Sequence, residues 1–279
     1  MSYKSLLTVV TQAQVLEPTI AAAVALASRF DAHLEVLCLG LEQTQLGYDY
    51  LGTNGSLIQQ MLEQARDAAK SLEASARSHL TAQNIRWSVE SLAVPAISLA
   101  ETVAQYARFS DLVVQAKPYA EGTSTEAEAA IEAALFDADV PVLVLPNGPH
   151  ATDFGKRIVI AWNQSREAMA AVRAAMPLLE AADLVTIMIV DPKGFGAERS
   201  DPGGALSQML ARHGVKAEVT VLAKTLPRFC DMLNRHARDR DSDLVVMGAY
   251  GHSRLRESIL GGATRGMLEQ AEVPVFMTH

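Results

Sequence analysis

The chain has 279 residues, 49% of them hydrophobic and only 5% aromatic, with a formal net charge of −8. That length and apolar share allow two well-packed cores rich in Ala, Val and Leu. The acidic balance argues against a nucleic-acid surface, which needs basic patches. No apolar run approaches the ~20 residues of a membrane helix. The start MSYKSLLTVV enters a strand pattern at once rather than a signal peptide. The expectation is a soluble, cytoplasmic protein with neither membrane nor nucleic acid as partner.

In chain order, the first half predicts strands near Ser5–Val10, His33–Gly40, Ile85–Ala93, Asp111–Gln115 and Pro141–Leu145. Helical patterns lie near Glu17–Phe30, Ser56–Leu80, Ala96–Arg108 and Ser124–Asp137, with Pro18 at an early helix position where its missing N–H costs nothing. The segment 48–56, YDYLGTNGS, reads as an ordinary loop at the carboxyl edge of the second strand, with a lid or partner surface as the alternative. Asn147-Gly148-Pro149-His150 reads as a short interdomain linker. The second half predicts strands near Arg157–Trp162, Leu184–Val190, Lys216–Leu222, Asp243–Gly248 and Pro274–Thr278. Its helices lie near Ser165–Glu180, Ala205–His213, Pro227–Asp239 and Gly262–Gln270. Residues 192–202 form the loop matching 48–56. Strand and helix alternate throughout, which argues for an α/β fold with parallel sheets covered on both faces.

One frame occurs twice. Asp111 opens DLVV, a loop, a helical pattern and then DVPV at 139–142; Asp243 opens DLVV, a loop, a helical pattern and EVPV at 272–275. The chain is therefore a tandem duplication, with domains at 1–146 and 152–279, each a doubly wound Rossmann-like unit on a five-stranded parallel sheet.

The halves differ in the loop and helix start after their DLVV strand. In the second, Gly248, Gly251 and Gly261 are spaced G-x2-G-x9-G, and Gly262, Ala263 and Thr264 open a helix. Glycine at a strand end lets a ligand approach bare backbone, and a glycine-led helix start offers N–H groups to phosphate. The alternative is a glycine-rich loop that only turns the chain. In the first half Ala116 replaces Gly248, no glycine pair opens the next helix, and Glu121, Glu126 and Glu128 crowd its start, where they would repel phosphate. That half reads as a degenerate, non-binding copy.

The second-half arrangement resembles the universal stress protein family, whose nucleotide-binding members carry G-x2-G-x9-G-[ST] after the fourth strand. Gly262 stands where the family has Ser or Thr, and Thr264 offers a hydroxyl two residues on. Family members also carry Asp, then Gly-Ser, after the first strand, where this chain has Asn163-Gln164-Ser165. The resemblance implies an adenine-nucleotide site, ATP or a relative, drawing on Ala161, Asn163, Ser165, Val190, Met247, Gly248, Gly251, Arg254, Gly261, Gly262, Ala263 and Thr264. In it Val190 supplies backbone contacts to adenine, and Arg254 and Arg256 offset phosphate charge. Helix capping is the alternative role for Asn163 and Ser165. The resemblance also implies pairing of the last strands, 141–145 with 274–278, as an intramolecular pseudo-dimer; a homodimer of chains is left open.

Three function classes compete: a nucleotide-binding stress-response regulator, a non-nucleotide protein-interaction module, and an enzyme. The last lacks GxGxxG after the first strand, GxxxxGK[ST] and GxSxG, so at most weak ATP hydrolysis is expected. Two cysteines, one in each half, read as buried inert thiols, and seven scattered histidines give no metal cluster.

Overall fold

The computed structural model describes residues 2–42, 55–119, 125–146, 152–192, 201–249 and 262–279. The 147–150 linker, most of the 48–56 and 192–202 loops, and Glu121, Gly251, Arg254, Arg256 and Gly261 lie outside them.

The chain forms two compact units, residues 3–140 and 141–279, the latter joined by the first two residues. In the first unit the strands are β1 (Ser5–Val10), β2 (His33–Glu42), β3 (Arg86–Pro95) and β4 (Leu112–Ala116). They lie in the order β3-β2-β1-β4, with parallel pairing throughout. Helices α1 (Ala13–Phe30), α2 (Gly55–Leu80), α3 (Leu99–Ala107) and α4 (Thr125–Glu132) alternate with them. β1 and β4 are buried at nearly every position and mostly apolar because a parallel strand covered on both faces has no solvent side. At Gly40 an added Cβ would stand 1.8 Å from the Ala65 carbonyl oxygen, so only glycine lets α2 lie this close to β2.

The second unit holds β5 (Val142–Leu145), β6 (Arg157–Ala161), β7 (Leu184–Val190), β8 (Ala217–Leu222), β9 (Leu244–Gly248) and β10 (Val275–Thr278). Their order is β5-β10-β9-β6-β7-β8. All pairs are parallel except β5 with β10, which run antiparallel with Phe276 opposite Leu143. The last strand of each repeat thus covers the other's edge within this unit, as the resemblance implied. Helices α5 (Arg166–Ala174), α6 (Met176–Leu179), α7 (Gly204–Arg212), α8 (Phe229–Asp239) and α9 (Ala263–Gln270) complete it. α8 and α9 are tied together: Asn234 Nδ2 donates to the Gln270 carbonyl at 2.7 Å, and the Arg238 guanidinium bridges both Glu272 oxygens.

The repeated DLVV acid has a physical task. Asp111 Oδ2 accepts the Lys4 and Ser5 N–H groups at 2.6 and 3.0 Å, fastening the start of β1 to that of β4. Asp243 repeats this more fully. Its two oxygens accept the N–H groups of Gly155, Lys156 and Arg157, each at 3.0 Å, fastening β6 to β9.

The element boundaries hold within a few residues, with four differences. The single helix expected over 165–180 divides at Ala175 into α5 and α6, with Pro177 at the start of the second. α1 begins at Ala13 rather than Glu17, which puts Pro18 inside the helix instead of in its first turn. Pro18 leaves one carbonyl of the preceding turn without its backbone donor; next to it, the Thr19 hydroxyl donates to the Val15 carbonyl at 2.6 Å. The 96–108 helix opens with a 3₁₀ turn, Ala96–Ser98, and the 124–137 helix closes as a π turn, Ala133–Asp137. Both cysteines are buried and unbridged, and burial pushes the Cys38 thiol up to about 12.

Replacing Asp243 by Ala leaves three backbone donors at a strand junction without their acceptor. The expected loss is about 3 kcal/mol of unfolding free energy, read from a fall in urea midpoint; an unchanged midpoint would refute the clamp. Deleting residues 274–279 removes β10 from between β5 and β9 and bares both edges. The truncated chain should aggregate, and a monodisperse product by size exclusion would contradict this.

Candidate functional site

In the second unit the chain runs from β6 outward through β7 to β8, then crosses back to β9 on β6's other side. The strand order therefore reverses at β6, and a crevice opens beyond its carboxyl end, the usual ligand position in such sheets. A cavity of about 330 Å³ lies there, within the range of small-molecule sites.

Three connections build it. After β6, the Trp162 N–H donates to the Met188 carbonyl at 2.9 Å, carrying the ladder one residue further. The chain then turns sharply through Gln164 in the left-handed region, φ 62°. Asn163 Oδ1 accepts the Ser165 N–H at 3.0 Å, and Ser165 Oγ accepts the Ala168 N–H at 3.1 Å as the N-cap of α5. Both polar side chains therefore do the local capping work that Asn and Ser favour before a helix. Asn163 nonetheless lines the cavity; Ser165 does not.

After β7, Asp191 also takes a left-handed conformation, φ 41°, and its N–H donates to the Leu222 carbonyl at 3.0 Å. Its Oδ1 accepts the Lys224 N–H at 3.2 Å, holding the β7 and β8 exits together. After β9, Gly248 meets the first turn of α5. A Cβ there would stand 2.6 Å from the Ala168 nitrogen, so helix packing by itself requires this glycine. Gly262 is the N-cap of α9, and Ala263 brings the first residue of that helix to the cavity wall.

Ala161, Asn163, Val190, Met247, Gly248 and Ala263, all expected from the sequence, are brought together around the cavity. Thr264 is buried at 2% exposure, and neither it nor Gly262 forms part of the lining. Trp162 and Asp191 complete the β6 and β7 ends. Lys224, Phe229 and Met232 were not foreseen. They come from the β8 exit and the start of α8, one strand beyond the reversal point. The only available signal was position at the carboxyl edge.

The walls are mainly apolar, with Trp162, Phe229, Met232 and Met247 presenting flat or polarizable surface. The polar groups are an amide, a carboxylate and an ammonium: Asn163, Asp191 and Lys224. Such a site takes a flat, partly apolar molecule carrying several hydrogen-bonding groups. Among the described residues no group of His, Cys, Asp or Glu is arranged to hold a metal ion, and no helix is long and apolar enough to cross a membrane.

The first repeat is built differently at the matching edge. β4 ends in Gln115 and Ala116, followed by Lys117, and Glu126 and Glu128 stand in the first turn of α4. Lys117 is buried at 8% exposure, and burial lowers its pKa from the ordinary lysine value.

Comparison with known proteins bears on residues 155–279, which match the model of the universal stress protein family. A universal stress protein of Synechocystis sp. is 33% identical over 73 residues, a stretch that covers 26% of this chain and 24% of that protein. Among solved structures, a universal stress protein from Archaeoglobus fulgidus DSM 4304 superposes with a TM-score of 0.72 at 15% identity, covering 98% of this chain and 95% of the other. A putative universal stress protein from Pseudomonas aeruginosa UCBPP-PA14 gives 0.58 at 15% identity, with 99% and 93% covered. At such identities these two likenesses speak for the fold. The family match thus covers the second repeat, β6 to β10, whose sequence is similar to the universal stress protein family.

Proposed function

We propose that the second unit binds an adenine nucleotide, ATP or a related one, and that the protein acts as a cytoplasmic stress-response regulator rather than as an enzyme. One observation carries this reading: residues from 161 to 263, drawn from the ends of β6, β7 and β9 and from the start of α9, converge on one cavity of about 330 Å³. Its size suits a base and ribose. Phe229, Met232 and Met247 offer apolar surface to a ring, Asn163 and Asp191 offer hydrogen bonds, and Lys224 offers positive charge. Any hydrolysis is weak, because among the described residues no histidine lines the cavity and Asp191 already accepts a backbone hydrogen bond. Output runs through protein partners that sense the loaded or unloaded state.

A second reading, an interaction module without nucleotide, draws on a specific observation. Asn163 Oδ1 and Ser165 Oγ are both engaged in capping α5, which leaves fewer polar atoms for a ligand.

The deciding experiment denatures protein purified without added nucleotide and identifies any released small molecule by mass spectrometry. Adenine nucleotide at about one per chain is expected, with micromolar ATP binding by calorimetry and a change in Trp162 fluorescence as the cavity fills. Ala263→Glu, which puts bulk and negative charge at the wall, should weaken ATP binding about a hundredfold or more. No recovered nucleotide and no calorimetric signal would overturn the nucleotide reading in favour of the interaction module.

A further inference from the structure

β3 forms one edge of the first unit's sheet, and β8 forms one edge of the second's. A bare edge is a template for pairing with another chain, and proteins commonly blunt it with charge or proline. β3 is blunted in that way, since its exposed positions are Arg86, Ser88, Glu90 and Pro95. β8 is not. Its exposed positions are Val219 and Val221, at 38% and 49%. Being two residues apart, these valines stand on one face of the open edge.

The backbone of β8 has a defined free set. The Lys216 and Leu222 carbonyls accept the Val185 and Asp191 N–H groups from the β7 side, at 2.9 and 3.0 Å. Backbone groups alternate in direction along a strand, so residues 216, 218, 220 and 222 turn theirs toward β7. Ala217, Val219 and Val221 turn theirs away, and among the described residues no backbone group pairs with them.

We infer that β8 is a self-pairing edge, through which two copies of this chain join by antiparallel β8–β8 addition about a two-fold axis at Val219. In an antiparallel pair, facing residues with their backbone turned inward to the seam exchange two hydrogen bonds. With the axis at Val219, that residue faces its own copy, and Ala217 faces the second copy's Val221. Every free N–H and C=O of residues 217, 219 and 221 then finds a partner. An axis at Glu218 or Thr220 instead leaves Val221 or Ala217 facing residues beyond the strand. The side chains agree with this register. Val219 meets Val219 and each Val221 meets Ala217, which closes one apolar stripe of cross-strand pairs. On the other face Thr220 comes opposite Glu218, and its hydroxyl can donate to the carboxylate. Glu218 is the one charge in the strand, and Arg240 offsets it at 3.0 Å, so the seam carries no unbalanced charge. A foreign strand would satisfy the backbone alone; the match of length, register and apolar stripe selects a second copy. The seam is small beside the ~20–30 residues a side of a stable complex, so the dimer is weak and concentration-dependent. The inference is independent of whether the cavity takes a nucleotide.

The test is sedimentation velocity on the full-length protein from about 1 μM to about 1 mM. A reversible shift from monomer to dimer is expected across that range. Val219→Lys sets two like charges opposite each other and should weaken dimerisation about tenfold or more, with the urea midpoint retained. Two further variants read the register, because Cys38 and Cys230 are buried. Val219→Cys should be joined to its copy by a bismaleimide too short to span four strand residues, ~13 Å, and Val221→Cys should not. These variants decide the matter should Val219→Lys fail to fold. A monomer at every concentration would overturn the inference. So would a dimer indifferent to Val219→Lys, or crosslinking of Val219→Cys no better than that of Val221→Cys.

Discussion

The pairing of β6 with β9 governs the second unit of this molecule. These strands are separated by the whole β7–α8 excursion, yet their carboxyl ends must lie side by side for the crevice to exist. Apolar burial of Ile158–Ala161 against Leu244–Met247 supplies the non-directional drive. The Asp243 carboxylate supplies the directional part, receiving three consecutive N–H groups at the foot of β6. A charged acceptor with three donors is among the stronger hydrogen-bond arrangements, and its presence at the amino end leaves the carboxyl end free for function. Asp111 performs the lesser version in the first repeat.

Around that pair, small residues and short connections set the site's dimensions. Gly248 lets α5 sit against the end of β9, while Ser165 and Asn163 stiffen the turn that launches α5. The α8–α9 contacts through Asn234 and Arg238 bring Phe229 and Ala263 to the same hollow. The wall formed by residues 223–226 is backed by a second void rather than by packed side chains. Close packing is the norm in protein interiors, so among the described residues this wall has room to adjust.

Much of this was legible in the residues. Continuous apolar runs bounded by acids and glycines located the ten described strands, because a parallel strand buried on both faces leaves that mark. The repeat of DLVV and VPV located the duplication. Alternation of element types implied a crevice at the carboxyl edge, and Ala161, Asn163, Val190 and Met247 were named from that rule and the family resemblance. Helix ends were read less closely. Pro18 looks like a start signal but lies within α1, where tertiary packing of Leu16 and Ile20 extends the helix backwards past it.

The sequence by itself determined the class of fold, the two repeats and the asymmetry between them, because periodicity, glycine spacing and charge are local properties of the chain. Tertiary structure alone decided what those residues do. Gly248 has a packing duty because α5 is close; Asn163 and Ser165 are engaged in capping; Lys224, Phe229 and Met232 reach the cavity only because β8 and α8 are folded beside β7. The second void is likewise invisible in one dimension. It depends on how two surfaces fail to fill the space between them, and no single residue encodes that.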